Sequence, residues 1–407
     1  MPAAAPPDPA ATLKPRIAAE LESLRAIRRD LHAHPELGYH ERRTSALVQA
    51  ELTRLGIAHV ANLAGGTGIV AYLPPTDPAA RTSTGAAVAL RADMDALPIV
   101  EQTGLDYASR TPGVMHACGH DGHTTILLGA ARILRALPRP RAVTLLFQPA
   151  EEGGGGAERL CAEGALDGSL IGVPVAQVFG LHGWPQLPLG SVGTRPGPLL
   201  AATDEFRVTI HGVQSHGAQP HFGRDPIVAA AHCIVALQTV VSRSIAPTEA
   251  CVVTVGVVNA GTASNIIPQS ATFVGTIRTL DAAVRATAQE RLRQTIEHAA
   301  AALGCRAEID LVPGYPVTRN DPALTARFFE IARAALPAAS VELIPSASMG
   351  GEDFAYYAER VPGVFYFLGL KPQAAAAAPA LHQPDFDFND DALPLGIEMM
   401  CRLALEA

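Results

Sequence analysis

Apolar residues return every three or four positions at Ile17, Leu21, Leu24, Ile27 and Leu31, so the chain opens with a predicted amphipathic helix over about 13–31. A second helix is expected over 44–55, where Gly56 stops it. Short apolar runs at 68–73 and 86–90 read as strands. Helical spacing returns over 124–137, followed by a continuous apolar stretch at 143–147 that suits a strand buried on both faces. Strands alternating with helices predict an α/β domain on a mostly parallel sheet.

The rhythm changes near Pro196-Gly197-Pro198. Residues 204–211 alternate as a half-exposed strand does, and 226–242 place Ile227, Ala230, Ile234, Leu237 and Val241 on one side of a long helix. Strands at 251–258 and 271–278, a helix at 282–303 and a closing strand at 306–312 complete the order strand-helix-strand-strand-helix-strand, which is ferredoxin-like. The expected organisation is a first domain in two parts, 1–199 and 314–407, around an inserted α+β domain at 200–313. Gly314-Tyr315-Pro316 would be the return hinge, and a strand at 364–368 with a final helix from Leu393 would complete the first domain.

Composition narrows the function. Of 407 residues, 48% are hydrophobic and only 17% charged, which supports large buried cores and some apolar surface hidden in an oligomer. The formal charge is −8 and no Lys/Arg run stands out, which argues against a nucleic-acid partner. Six cysteines lie at irregular spacing, so a disulfide scaffold is a poor reading. The Ala/Pro-rich start, 1–15, does not read as a signal peptide, and no uninterrupted apolar segment has membrane-spanning length. The expectation is a soluble cytoplasmic protein, not attached to a membrane, with a flexible N-terminal tail.

The chemistry concentrates at strand ends. Met115-His116-Ala117-Cys118-Gly119-His120-Asp121-Gly122-His123 packs one thiol, three imidazoles and a carboxylate into nine residues. With no paired Cys-x-x-Cys anywhere, this donor set suits a catalytic metal centre that keeps a position open for water, rather than a structural zinc site. Glu151-Glu152 follows a buried strand and precedes a glycine run. A metal there could stabilise one carboxylate while its neighbour acts as general base. His182 comes at a further strand end, where open α/β sheets gather their sites. Asp93 and Asp95 leave another strand on one side; they are either a solvated turn or a pair that orients a metal-bound imidazole. The low-complexity stretch 374–380 reads as a loop delivering His382.

These segments together resemble the M20 family of metal-dependent amidohydrolases and peptidases, most closely its D subfamily of hippurate hydrolases, auxin-conjugate hydrolases and N-acyl-amino-acid deacylases. The likeness runs from His32-Ala33-His34-Pro35-Glu36-Leu37 to His382. It passes in the family's order through 91–98, 116–123, Glu151-Glu152, 212–221 and Met349-Gly350-Gly351-Glu352-Asp353-Phe354. The resemblance implies a catalytic domain with two divalent metal ions (manganese, zinc, cobalt or nickel) and an inserted lid that also makes a homodimer contact. Carried over by motif, the ligands are Cys118, His120, Glu152, His182 and His382. Cys118 would bridge, with Glu152 and His382 on one ion and His120 and His182 on the other. Glu151 takes the general-base position. His216 matches a lid histidine that reaches a neighbouring subunit's site and polarises the scissile carbonyl, while Asn265 and Arg278 match positions that bind the substrate's carboxylate. The chain departs from the subfamily's usual Gly-x-Gly-Gly-His-Ala-Ala at Gly212-Val213-Gln214-Ser215-His216-Gly217-Ala218. The implied reaction is hydrolysis of the amide of a small N-acyl amino acid to a carboxylic acid and a free amino acid. The alternatives are a dipeptidase or carboxypeptidase on the same scaffold, or a non-catalytic metal-binding protein, against which the retained Glu151 argues.

Overall fold

The apolar stripe of the first helix goes inward as its spacing requires: Leu13, Ile17, Leu24 and Leu31 are buried on α1 (Leu13–Ala33). The computed structural model describes residues 12–77, 86–373 and 375–407; positions 1–11 of the Ala/Pro-rich start, where a tail is expected, lie outside the described residues, as does position 374 of the Ala-rich loop. Two compact units make up the chain. One comprises Met1–Gly197, Arg319–Pro345 and Asp353–Ala407, the other Pro198–Thr318 with Ser346–Glu352.

The first leg of the larger unit continues through α2 (Arg42–Arg54), β1 (Ala58–Leu63), β2 (Gly68–Leu73), β3 (Ala87–Asp93), α3 (His120–Arg135), β4 (Val143–Gln148), β5 (Val175–Pro188) and β6 (Val192–Thr194). The smaller unit holds β7 (Ala202–His211), α4 (Pro226–Thr239), β8 (Cys251–Ala260), β9 (Ser270–Thr279), α5 (Ala282–Ala302) and β10 (Arg306–Pro313). The return leg adds α6 (Pro322–Ala335), β11 (Val341–Leu343), β12 (Gly363–Lys371) and α7 (Leu393–Glu406).

The larger unit is built on an eight-stranded sheet of order β1-β2-β4-β3-β5-β12-β6-β11. Its centre, β4-β3-β5-β12, is parallel, and antiparallel pairings flank it at β2–β4 and β12–β6. Every residue of β3 and β4 is buried, as parallel strands covered on both faces must be. Helix α3 packs on β3, β4 and β5, and α1 and α7 pack on α3.

Two sequence expectations shift here. Helix α3 begins at His120 rather than Thr124, because its first turn, His120-Asp121-Gly122-His123, is polar and carries no apolar periodicity. His182 lies in the middle of the 14-residue β5 rather than at its end. The strands are of unequal length: Arg91 pairs with Gly180, so His182 is level with Asp93, where β3 stops.

The smaller unit has the antiparallel order β8-β9-β7-β10 expected of the ferredoxin-like element sequence. Phe206, Val208 and Ile210 from β7 pack with Phe273 and Ile277 from β9 and with Leu237, Leu292 and Ile296 from the helices. The helical stretch Pro226–Ser244 is by length and composition alone sufficient to cross a membrane, although His232, Gln238 and Arg243 interrupt its apolar run. Within this unit that stretch packs Ala229, Ala230, Cys233 and Leu237 into the α+β core, while Ile227, Val228 and Val235 stay exposed.

Candidate active site

Six sequence-predicted residues come from four separate places in the larger unit. Cys118 and His120 flank Gly119, whose φ of 86° makes the turn into α3. Glu151 and Glu152 follow β4 after Ala150, a non-glycine residue at φ 52° whose N–H donates to Glu41 Oε1 at 2.8 Å. His182 projects from β5. His382 arrives on a segment of irregular backbone, and its own N–H donates to Ala117 O at 2.8 Å.

Their ligating atoms converge. Cys118 Sγ lies 3.3 Å from His182 Nε2 and 3.3 Å from His382 Nε2. His382 Nε2 stands 3.2 Å from Glu152 Oε1, in a geometry that leaves this oxygen without a hydrogen bond. Cys118, His120 and His182 offer donor atoms within 4.8 Å of one another, and so do Cys118, Glu152 and His382. A third group joins Glu151 to His120 and Glu152 in the same range.

Hydrogen bonds fix which ring nitrogens are free. His182 Nδ1 donates to Gly183 O at 2.8 Å, so Nε2 turns its lone pair toward Cys118. His120 Nδ1 lies 3.2 Å from Asp95 Oδ1, and its buried Nε2 has no hydrogen-bond partner. His123 is different. Its Nε2 accepts the N–H of Gly183 at 2.8 Å, and its Nδ1 must donate to Asp93 Oδ1 at 2.7 Å, so neither nitrogen is left for a metal. His116 is buried with neither nitrogen bonded, and burial pushes its pKa down to about 4. Of the three histidines around Cys118, only His120 joins it in a ligand group among the described residues.

Asp93 and Asp95 are buried and orient the imidazoles, which removes the solvated-turn reading. Arg91 Nη1 donates to Asp93 Oδ2 at 2.6 Å and Nη2 to Asp353 Oδ1 at 3.0 Å. Gln148 Nε2 reaches both oxygens of Asp353 at 2.8 Å. Arg91 and Asp353 stood inside recognisable motifs without an assigned role; the contact between them joins positions 262 residues apart. Arg91→Met takes the cationic partner from two buried carboxylates, so urea unfolding should show a loss of about 3–5 kcal/mol.

The electrostatics call for positive charge. Burial and the carboxylates of Glu152, Glu151 and Asp93 push the Cys118 thiol well above its ordinary range. Burial opposes a charged His120, yet Asp93, Asp95 and Glu152 raise its pKa to about 10. Burial, with His123 alongside, keeps His182 neutral, the form that ligates. One sulfur, imidazole nitrogens and carboxylate oxygens around an unpartnered His120 Nε2 fit a divalent metal cation.

Behind the motif, His32 Nδ1 sits 2.7 Å from Asp121 Oδ2 and Nε2 sits 3.3 Å from Glu101 Oε1. Burial opposes its charge, but these bonds lift its pKa from 6.5 to about 9. A raised folded-state pKa stabilises fully below the unfolded value, and the gain fades as pH climbs from 6.5 through about 9. Unfolding free energy should therefore drop by roughly 3 kcal/mol across that window, at about 1.4 kcal/mol per pH unit. Urea titrations of the native chain and of His32→Gln, which should flatten the slope, check this.

In the smaller unit, His216 is exposed on the short strand Ser215–His216. Its Nδ1 accepts the N–H of Ala218 at 3.0 Å, which leaves Nε2 as an outward N–H donor. Ile266 pairs with His216, so Asn265 is beside it, and Asn265 O accepts the N–H of Gly217 at 2.7 Å. Arg278 lies elsewhere. It sits opposite Thr203 near the far end of β9, eight residues beyond Ser270, which at about 3.3 Å per residue is roughly 26 Å. One copy thus brings His216 and Asn265 together and keeps Arg278 apart.

The sequence from 89 to 406 matches Peptidase family M20/M25/M40. The chain belongs to this family. The motif resemblance drawn from sequence holds, and this M20 protein is a hydrolase of amide bonds. It is 44% identical over 375 residues, 91% of this chain and 85% of the other, to an N-acetyl-L-cysteine deacetylase of Bacillus subtilis. It is 41% identical over 387 residues, 93% of this chain and 84% of the other, to IAA-amino acid hydrolase ILR1-like 4 of Arabidopsis thaliana. Its fold matches the crystal structure of the Bacillus subtilis YXEP protein, a dinuclear metal binding peptidase from the M20 family. That match has a TM-score of 0.80 and 34% identity, covering 95% of this chain and 98% of the other.

Proposed function

We propose that this M20 enzyme hydrolyses the amide bond of N-acyl amino acids, using two divalent metal ions, and releases a carboxylic acid and a free amino acid. The observation that carries the reading is the pair of donor triads sharing Cys118 beside the buried Glu151. Cys118, His120 and His182 would hold one ion, and Cys118, Glu152 and His382 the other. The relatives' names point the same way, since both join an acyl group to an amino acid.

Bound ions of this kind supply Lewis acidity toward water and the amide carbonyl. The chain's own groups do the rest. Glu151 takes a proton from the attacking water and returns it to the departing amine. Asp95 and Asp93 hold the imidazoles in place. His216 donates its Nε2 hydrogen to the oxyanion that develops, and Asn265 and Arg278 bind the free carboxylate.

His216 serves the site of a second copy in this reading, and the smaller unit is both lid and homodimer contact. Support comes from its surface: β8 has an open outer edge, Val257 and Val258 are exposed on it, and Val235 of α4 is 72% exposed. A substrate panel of N-acetyl, N-benzoyl and dipeptide compounds, run with manganese, zinc, cobalt and nickel, tests the proposal. Turnover of N-acyl amino acids well above dipeptides is expected. The reverse order favours a dipeptidase, and no turnover with any metal removes the catalytic reading.

A further inference from the structure

A buried guanidinium behind the ligand cluster has no assigned role. Arg28, on α1, has a side chain with no solvent exposure. Its Nε lies 3.2 Å from Asp121 Oδ2, its Nη2 donates to Asp387 Oδ1, and its Nη1 lies 3.5 Å from Asp390 Oδ1. Asp121 directly follows His120, while Asp387 comes five positions after His382. One side chain therefore pairs with acids from the two segments that bring opposite halves of the ligand set.

A second observation concerns the same segment. The Phe388 ring lies so close to Gly122 that a Cβ there would stand 2.5 Å from it; at Gly119 and at Gly183 the distance would be 3.0 Å. The stretch after His382 is thus seated on the turn that carries Cys118 and His120, and only glycine permits the approach. Tyr107 Oη adds a hydrogen bond to Asp387 Oδ2 at 2.8 Å. Between 372 and 389 the described residues form no helix or strand, so these anchors and the His382 N–H bond to Ala117 set where the His382 ring stands.

We propose that Arg28, through Asp121 and Asp387, is a positioning residue that keeps the Glu152–His382 half of the centre in register with the Cys118–His120–His182 half. The inference rests on the two-ion reading of the site. Charge buried at this depth is little screened, so the pairing holds its geometry. Arg25 and Asp391 supply an internal contrast. They pair at 2.5 Å between α1 and the stretch after His382, but both are exposed, and such a pair contributes little.

The test is calorimetric titration of the metal-free full-length chain with cobalt(II), with circular dichroism to verify folding. The native chain should take up two ions. Asp387→Ala should weaken one of them about 10- to 100-fold and leave the other nearly unchanged, as loss of a group supporting a ligand does. Arg28→Lys should give the same selective loss, because a single ammonium cannot span both acids. Asp391→Ala should bind both ions as the native chain does. Two ions at native affinity in Asp387→Ala would overturn the inference, as would equal weakening of both ions or an equal loss in Asp391→Ala. A native chain that holds fewer than two ions overturns the two-ion reading as well, which separates the two failures.

Discussion

Glu151→Gln should lower turnover by about 10²- to 10⁴-fold, the range for loss of a general base, while the protein keeps its fold and its metal ions. The change keeps the side-chain volume and removes the ability to accept a proton. Glu151 is only 7% exposed, and its carboxylate falls in one group with His120 and Glu152. The adjacent residue makes the experiment decisive. Glu152 shares a ligand group with Cys118 and His382, so Glu152→Gln should lose metal along with activity. Metal content and kcat measured on both variants separate the roles. If Glu151→Gln turns over near the native rate with its ions in place, another group is the base. If it loses ions as Glu152→Gln does, Glu151 is a ligand.

Much of this site could be read from the sequence because its chemistry is local. Cys118 and His120 stand two positions apart, and Glu151 and Glu152 are neighbours, so donor types that seldom cluster announced themselves. What stayed hidden depends on contacts between distant positions. His123 looks like a ligand until the backbone N–H of Gly183 is seen on its Nε2. Arg28 reads as one more charge on an amphipathic helix, and its acid partner Asp387 lies 359 residues away. The long central strands were found because burial made them apolar, while β6, buried throughout, is only three residues long and was not. β1, at the sheet edge with no fully buried residue, gave no such signal. Residues 346–352 fall within the smaller unit although chain order separates them from it, and nothing in their polarity pattern indicates that.

A chain carrying His216→Ala, expected to lose about 10²- to 10³-fold in turnover as an oxyanion donor does, should regain activity when mixed with one carrying Glu151→Gln. The reason is geometric. His216 and Asn265 each lie five residues outside the His211–Ser270 pair that ends the smaller unit's sheet, and Arg278 sits near the other end, roughly 26 Å from Ser270 along β9 at about 3.3 Å per residue. A small N-acyl amino acid is far shorter than that length of strand, which favours the proposed site that draws the three from two copies. If Arg278 serves the site of its own copy and the His216–Asn265 pair serves its neighbour's, the pattern of rescue follows. In a mixed dimer of His216→Ala and Glu151→Gln, one site carries both lesions and the other carries neither. Random exchange of copies then gives roughly a quarter of native turnover. His216→Ala mixed with Arg278→Ala should recover in the same way. His216→Ala mixed with Asn265→Ala should not, because each site keeps one damaged member of the pair. Steady-state rates of the three mixtures, after subunit exchange, decide the matter. Absence of recovery in the first mixture, with exchange verified by a tagged copy, would show that His216 acts within its own chain or not at all.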